Sequence, residues 1–295
     1  MSLRRLAQAS AALALLAALA ACGPGGKIRL PFKLPHRDIG FDKDALEGAI
    51  DAGFGGVGTC VVIDDSKSGR EVYRYNSYAV CTNKMPPCET YEIVGDLIGL
   101  EHGVVDARRP LKWDGTPQPV ASWQHDADLR TAFSESIGWW QARIATTLGA
   151  DKVRDELRRL GYGNGEVGSA LDKFWMGPAE GGQLGLSTRE QAEFLHRLYA
   201  GQLPVKTQSA EAMEAAMAGE TRGAAQISGK GGDCATLSDS SRQVAWYVGR
   251  LRSGARDWTF AASLEGDSKN AMPGMELQHR VKTAFARGGL WPAAS

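Results

Sequence analysis

Runs of β-branched and aromatic residues predict strands at both ends of the folded part of the chain. Residues 58–76 read GTCVVIDDSKSGREVYRYN, in which two such runs flank the polar segment SKSG. A Gly-containing turn between two β-rich runs is typical of a hairpin. Two more strands are predicted near the C-terminus, in the segments RQVAWYVGRLRSG and DWTFAASLEG, after the segment SGKGG.

Apolar residues at helical spacing predict a block of helices between these strands. A helix is predicted over Glu92–Val104, beginning near Pro86-Pro87, because proline suits the first turn of a helix. Two helical stretches are predicted within residues 129–163, and Gly161 is suited to end the second one. Shorter patterns predict a helix in SAEAMEAAMAG and a last helix in MELQHRVKTAFARGG.

The order of these elements predicts an α+β fold. Ser187, followed three residues later by Glu190, forms the pattern of a capping box, which marks the start of another helix in the middle block. Strands at both ends with helices between them indicate a sheet completed by both termini, beside an all-α subdomain.

The N-terminus has the pattern of an export signal rather than of a folded element. The basic start MSLRR precedes an Ala/Leu-rich apolar run, so residues 1–21 are predicted to be a signal peptide. The segment Leu19-Ala20-Ala21-Cys22 resembles the lipobox of bacterial lipoproteins, which implies a lipid on Cys22. The alternative is an ordinary signal peptide cleaved nearby, with Cys22 incidental. Residues 22–45 are then a lipidated tether and residues 46–295 the folded domain.

A lipid anchor would place the protein in the bacterial cell envelope. Several acyl chains hold a protein on a membrane, since each buried CH₂ contributes about 0.8 kcal/mol. By resemblance to lipoproteins, Gly23 favours the outer membrane, facing the periplasm.

Composition and charge exclude some partners without identifying any. The 295 residues are 43% hydrophobic and 23% charged, which is ordinary for a globular protein. The 34 basic and 34 acidic side chains give a net charge of zero, so no nucleic-acid partner is expected.

Four cysteines remain if Cys22 carries lipid: Cys60, Cys81, Cys88 and Cys234. An even number of cysteines in an oxidising compartment favours two disulfides. Four cysteines allow three pairings, and the spacing alone does not choose among them.

An ordered set of local motifs resembles the class D β-lactamases and the related penicillin-binding transpeptidase domains. The set covers roughly residues 50–291 and consists of IGLEHGVV, LKWDGTPQPVASWQHDADLRTAF, YGN, LDKFW, EQAEFLHRLY, GKGG and VAWYVG. The resemblance implies a serine β-lactamase/transpeptidase-like fold, with a central antiparallel sheet flanked by helices and an all-α subdomain.

The same resemblance implies a Ser-x-x-Lys motif at the start of the first long helix. Counting back from IGLEHGVV, the nucleophile position falls on Glu89 and the lysine position on Glu92. In the family that lysine is carboxylated, acts as the base and is supported by a Trp, which corresponds to Trp175 here. Two carboxylates one helical turn apart repel, so we expect one of them to hold a proton near neutral pH.

The remaining family motifs are also altered. Counting from WWQARIA, the Ser-x-Val motif becomes Glu135-Ser136-Ile137, so the proton-shuttling serine is replaced by Glu135, with Ser136 one position out of place. The Lys-Thr-Gly motif keeps Lys230 and Gly232, with Gly231 in place of the threonine. A further carboxylate-binding Arg of the family falls near Met275.

Three interpretations of this site remain open. The charged residues could have filled a vacated site, with Lys230 neutralising one glutamate. They could form an acidic pocket for an amine, a cation or a peptide, lined by aromatic side chains. They could also act as a two-carboxylate hydrolase. The candidate ligand-binding residues are Tyr91, Ser136, Trp139, Trp175, Gly231 and Gly232.

The resemblance extends to some class A carbapenemases, which bridge cysteines at the offsets of Cys88 and Cys234. This implies a Cys88–Cys234 disulfide across the site and leaves Cys60 to pair with Cys81. A local bridge between Cys81 and Cys88 is the alternative.

The sequence as a whole therefore predicts a membrane-anchored, β-lactamase-like pseudoenzyme without serine acyl-transfer activity. We expect it to bind a cell-envelope protein or a peptidoglycan fragment and to need no cofactor or metal. The rival hypothesis is a penicillin-interacting or carboxylate-based hydrolase that works through Glu89 and Glu92.

Overall fold

The computed structural model describes residues 40–54, 58–267, 269 and 272–293. The predicted signal peptide, Cys22 and the tether as far as residue 39 lie outside these residues. No helix among the described residues combines the length and the hydropathy that a membrane crossing requires.

Six antiparallel strands form one sheet at the centre of the domain, in the order β2-β1-β6-β5-β4-β3. Both ends of the chain contribute to it, as predicted, since β1 near the N-terminus pairs with β6 near the C-terminus. The strands are β1 (Gly58–Asp65), β2 (Glu71–Tyr75), β3 (Glu220–Arg222), β4 (Ala225–Ala235), β5 (Arg242–Ser253) and β6 (Arg256–Asp267).

Helices cover both faces of this sheet, and most of them come from the middle of the chain. They are α1 (Lys43–Phe54), α2 (Tyr78–Cys81), α3 (Glu92–Glu101), α4 (Leu129–Glu135), α5 (Gly138–Leu148), α6 (Ala150–Leu160), α7 (Thr188–Tyr199), α8 (Thr207–Ala216) and α9 (Gly274–Arg287). Four short 3₁₀ turns accompany them, at Cys88–Tyr91, Ala121–Trp123, Phe174–Met176 and Pro178–Glu180. The predicted α+β fold is confirmed.

Each face of the sheet has its own apolar core, because side chains alternate between the two faces along a strand. Val61 and Ile63 pack with the terminal helices α1 and α9 on one face. Val62 and its neighbour Cys60 pack with the helical block on the other face. The functional motifs of the resemblance lie on this second side.

Several local predictions are confirmed. Residues 58–76 form the hairpin β1–β2, and the side chain of Ser187 accepts from the N–H of Glu190 while Glu190 reaches back to Ser187. Gly161 ends α6 with a left-handed φ of 62°, which glycine adopts without strain.

Four features differ from the prediction. Residues 129–160 form three helices rather than two, because Ser136 and Ile137 adopt non-helical conformations between α4 and α5. Helix α3 ends at Glu101, where Gly103 follows with a positive φ. The segment SGKGG lies inside the long strand β4, and α1 begins at Lys43, within the last residues of the predicted tether.

The described part of the chain contains two disulfides, Cys60–Cys81 and Cys88–Cys234. These are the pairs that the resemblance favours, and the local Cys81–Cys88 bridge does not form. The Cys88–Cys234 bridge joins the 3₁₀ turn before α3 to strand β4, so it ties together two walls of the candidate site.

Candidate functional site

The candidate site lies where the 3₁₀ turn Cys88–Tyr91 packs against strand β4. Glycine makes this close approach possible, because a Cβ on Gly232 would come within 2.7 Å of Glu89 Oε2. A Cβ on Gly274, at the start of α9, would likewise collide with the Gly232 backbone at 2.8 Å. The 3₁₀ turn, β4 and the start of α9 are therefore in close backbone contact here.

Glu89 turns its carboxylate onto the backbone of β4. Its Oε2 accepts a hydrogen bond from the Asp233 N–H at 2.7 Å. Burial raises the pKa of Glu89, and the backbone N–H groups of Glu89 and Asp233 act against that rise. Two backbone N–H groups thus stabilise one side-chain carboxylate, an arrangement that elsewhere stabilises the oxyanion of an acyl-transfer intermediate.

Lys230 is buried, and three oxygen atoms surround its ammonium group. Nζ lies 2.7 Å from Glu92 Oε2 and donates to Ser136 Oγ at 2.8 Å. It also donates to the Phe133 carbonyl, and it lies 4.4 Å from the centre of the Phe133 ring. Two of the three N–H donors of this ammonium group thus have hydrogen-bond acceptors inside the protein, and the Glu92 carboxyl group is its ion-pair partner.

Glu92 lies beneath the cleft rather than in it, with 3% of its surface exposed. Burial raises its pKa to about 8, and the nearby Lys230 acts against that rise. We expected one of the two glutamates to hold a proton near neutral pH. Burial is the main cause of the raised pKa of Glu92.

Asp96 is a buried acid that the sequence reasoning missed. Its Oδ1 accepts from Trp140 Nε1 at 2.8 Å and from Gln141 Nε2 at 2.6 Å. Burial raises its pKa to about 7, against these two hydrogen bonds. The available signal was an acid in the apolar segment EIVGDLIGL, four residues after Glu92 and so on the same helical face.

The register predicted for the Ser-x-Val motif is wrong by one position. Ser136, and not Glu135, contacts Lys230. Ser136 has a left-handed φ of 51° at the end of α4, and this reversal turns its hydroxyl toward β4. Glu135 is exposed and lies 3.1 Å from His125 Nε2, so its carboxylate is held at the rim.

The aromatic candidates do not line a ligand pocket. Tyr91, Trp139 and Trp175 all belong to the apolar core. Tyr91 stacks on Trp175 with ring centroids 4.9 Å apart, and Trp139 donates its indole N–H to the Trp123 carbonyl. These side chains support the site from behind, which contradicts the prediction that they contact a ligand.

The cleft itself has a volume of about 480 Å³ and is lined largely by polar and glycine residues. It includes Glu89, Glu135, Ser136, Lys230, Gly231 and Gly232 from the predicted set. Met275, where the resemblance placed a substrate-binding Arg, lies at its rim and is 83% exposed. Among the described residues, no group of His, Cys, Asp and Glu side chains could hold a metal ion.

Comparison with known families places these motifs in context. The profile described as the penicillin binding protein transpeptidase domain matches residues 58–284. The matched region contains the cleft, the 3₁₀ turn and all six strands of the sheet.

Individual relatives include enzymes and a regulator. The chain is 31% identical to the β-lactamase OXA-5 of Pseudomonas aeruginosa over 208 residues, which cover 70% of this chain and 76% of that protein. It is 25% identical to the regulatory protein BlaR1 of Bacillus licheniformis over 229 residues, or 77% of this chain and 37% of BlaR1.

A solved structure confirms the architecture. The class D β-lactamase FUS-1 (OXA-85) of Fusobacterium nucleatum subsp. polymorphum superposes with a TM-score of 0.73 at 26% identity. The superposition covers 84% of this chain and 99% of that structure.

Proposed function

Because this chain belongs to the penicillin-binding transpeptidase domain family, we propose that it is a membrane-anchored member without serine acyl-transfer activity. In this proposal the domain binds a cell-envelope protein or a peptidoglycan-derived ligand instead of transforming a β-lactam. The observation that carries the proposal is the Glu89 carboxylate, which is hydrogen-bonded to the Asp233 N–H at the position assigned to the nucleophile.

The chemistry of acyl transfer explains why this observation matters. A serine hydroxyl needs a base to take its proton before it attacks a carbonyl. Here the two assigned positions carry Glu89 and Glu92. A carboxylate that attacked a β-lactam would form an anhydride, which is a reactive species rather than a stable acyl-enzyme.

The surroundings of Glu89 oppose the reaction as well. Acyl transfer needs N–H donors that are free to stabilise the oxygen of the substrate carbonyl. The Asp233 N–H is engaged by Glu89, so a substrate oxygen would have to displace a buried carboxylate. The Glu89 carboxylate therefore competes with any acyl substrate for the Asp233 N–H.

The lysine of the third motif is engaged in the same way. Lys230 contacts Glu92, Ser136 and the Phe133 carbonyl. To act as a base or to bind a substrate carboxylate, it would have to leave at least one of these partners. We infer that Lys230 stabilises the buried acid and holds Ser136 in place.

The rival hydrolase mechanism through Glu89 and Glu92 finds less support. A general base must reach the proton that it abstracts, directly or through one water molecule. Glu92 is buried and ion-paired with Lys230, and it does not line the cleft. Glu89 would then have to act without the second carboxylate.

A binding role has a precedent within the similar proteins. BlaR1 is named as a regulatory protein, so the similar proteins are not all named as β-lactamases. We extend to this chain only the general idea of a binding domain in the cell envelope.

Membrane attachment through Cys22 is the second part of the proposal. The evidence is the signal-like N-terminus and the Leu-Ala-Ala-Cys sequence. Metabolic labelling with a palmitate analogue should mark the wild-type protein in membranes, whereas Cys22→Ser should remain unlabelled. Labelling of the Cys22→Ser variant, or an unlabelled wild type, would contradict the lipid anchor.

The loss of catalysis is tested by turnover of a chromogenic cephalosporin. The purified full chain should leave nitrocefin intact while an active class D β-lactamase, assayed in parallel, hydrolyses it. Hydrolysis that disappears in Glu89→Gln would favour the carboxylate hydrolase. Crosslinking in cells followed by affinity purification would then identify the bound partner, with a Cys22→Ser strain as the matched control.

A further inference from the structure

A second concave surface lies beside the cleft, along helix α9. We call it the α9 groove; it has a volume of about 730 Å³. Its lining includes Glu220, Arg222, Met275, His279, Lys282 and Arg287. None of these residues except Met275 belongs to the motifs that the family resemblance singles out.

The groove follows one face of α9. Met275, His279, Lys282 and Ala286 recur at helical spacing and line it together. Leu277 and Val281, on another face of the same helix, are buried against the sheet. The opposite wall is β3, the edge strand of the sheet, so the groove runs between a helix and a short exposed edge.

Positive charge predominates in the groove. Glu220, the one acid among the described residues that line it, contacts both Arg222 and Lys282, the latter at 3.0 Å. Burial acts to raise the pKa of Glu220, but Lys282 and Arg222 hold it below its ordinary value, so Glu220 remains ionised. Two cations therefore share one anion, and Arg287 adds a further positive charge at the end of the groove.

Several donors in the groove remain available to a ligand. Arg222 uses Nε on Glu220 and another nitrogen on the Pro292 carbonyl, out of the five N–H donors of a guanidinium group. Lys282 donates to Glu220 alone among the described residues, which leaves two of its three N–H groups. Arg287 makes no side-chain hydrogen bond to another described residue.

The groove is continuous with the cleft. Met275 and Gln278 line both surfaces. Met275 presents an exposed, flexible apolar side chain at the junction, a type that adapts to the surface of a partner.

We propose that the α9 groove binds an acidic peptide segment of a partner protein, with carboxylates on Arg222, Lys282 and Arg287 and an apolar residue against Met275. Charge complementarity selects an anion. The concave shape between a helix and a strand fits an extended chain better than a flat lipid surface. This inference rests on the proposed binding role but is independent of whether catalysis has been lost.

The test uses the full chain in detergent and a fluorescein-labelled ten-residue peptide of alternating glutamate and alanine. The matched peptide has glutamine in place of each glutamate. Fluorescence anisotropy should show that the glutamate peptide binds, that added salt weakens the complex and that the glutamine peptide binds at least tenfold more weakly. Equal binding of the two peptides, or no binding of either, would overturn the proposal.

Two pairs of substitutions locate the binding surface. Lys282→Gln/Arg287→Gln should weaken peptide binding by about fivefold to tenfold, since each exposed ion pair is worth up to about 1 kcal/mol. Arg154→Gln/Arg158→Gln removes the same charge from α6 and should leave binding unchanged. Equal losses in the two variants would show non-specific attraction and contradict the proposal.

Two further measurements keep the result unambiguous. Arg287→Gln alone removes a side chain without internal hydrogen bonds among the described residues, so it replaces the double variant if that one does not fold.

Vesicles of phosphatidylglycerol test whether the groove binds a membrane instead of a peptide. Binding to vesicles that depends on Lys282 and Arg287, without binding of the glutamate peptide, would assign the groove to a membrane and overturn the peptide. The nitrocefin assay reports separately on the loss of catalysis.

Discussion

The charges beneath the cleft and the charges of the α9 groove are used in opposite ways. At the base of the cleft, Lys230 and Glu92 are buried and lie 2.7 Å apart, and Lys230 also donates to Ser136 and to the Phe133 carbonyl. In the groove, Lys282 and Arg287 reach the surface with N–H groups to spare. The first set stabilises the fold, and the second is available to a partner.

This contrast shows that a residue can keep its place in a family motif without keeping the role that the family gives it. Lys230 occupies the lysine position of the Lys-Thr-Gly motif, yet its surroundings give it a structural task. A buried ion pair is costly to break, because removal of one partner leaves the other charge without compensation. The two regions should therefore respond very differently to substitution.

The largest expected effect is that of Lys230→Met at pH 9, above the pKa of about 8 of Glu92, because the ionised Glu92 is then buried without its cation. We expect a loss of about 3–5 kcal/mol in the free energy of unfolding, measured by urea denaturation. The double variant Lys230→Met/Glu92→Leu removes both charges and should recover most of that loss. A single variant that unfolds at the same urea concentration as the wild type would show that the pair is not structural.

The disulfide that joins the 3₁₀ turn to β4 gives the next largest effect. Cys88→Ala/Cys234→Ala opens a loop closed over 146 residues and should cost about 3–5 kcal/mol. Cys60→Ala/Cys81→Ala opens a loop closed over only 21 residues and should cost about 1–2 kcal/mol less in the chain-entropy account. The reverse order of the two losses would argue against a stabilising link across the site.

The dependence of stability on pH should be the third effect. The pKa values of Glu92 and Asp96 are raised to about 8 and about 7. Their protonated forms are favoured in the folded state, so this contribution is complete below the unfolded pKa values and is lost as pH rises through 7–8. We expect the free energy of unfolding to fall by at least about 2 kcal/mol between pH 5 and pH 8.5, since each pKa lies about three units above its usual value.

Asp96→Asn sharpens this test, because the amide keeps an acceptor for Trp140 and cannot ionise. Its stability should decline less between the two pH values than that of the wild type. An identical decline in the variant would show that Asp96 does not contribute. Thermal unfolding followed by circular dichroism is sufficient for the comparison.

The smallest effect on stability should come from the groove. Lys282→Gln/Arg287→Gln should change the free energy of unfolding by at most about 1 kcal/mol, since exposed ion pairs contribute little. The same variant should lose peptide binding, and this separation of stability from binding is the counterpart of the Lys230 result. A large loss of stability here would remove the contrast between the two regions.

Much of the fold could be predicted from the sequence, because periodic patterns and local caps act over a few residues. The hairpin over residues 58–76 and the cap formed by Ser187 and Glu190 are local in this sense. The break between α4 and α5 was missed, since it depends on the left-handed conformation of Ser136. Residues other than glycine rarely adopt this conformation. Helix α1 was missed because its apolar face is complete only when packed against α9.

The candidate site could be located from the sequence, but its side-chain directions could not. The family resemblance placed Glu89 and Lys230 at one site, and the structure brings both to the cleft. Glu135 and Ser136 differ by one position, and a single backbone reversal decides which of them meets Lys230. Tyr91 and Trp175 were expected in a pocket, but each ring packs against the other inside the core.

The central claim is the absence of acyl transfer, and the most direct measurement is the intact mass of the protein after incubation with excess penicillin. The account predicts an unchanged mass for the full chain, because Glu89 occupies the nucleophile position and its carboxylate engages the Asp233 N–H. A penicillin-binding transpeptidase treated in parallel should show the added mass of the acyl group, because it does not hydrolyse its acyl-enzyme rapidly. The same added mass on this protein, at any residue, would contradict the account.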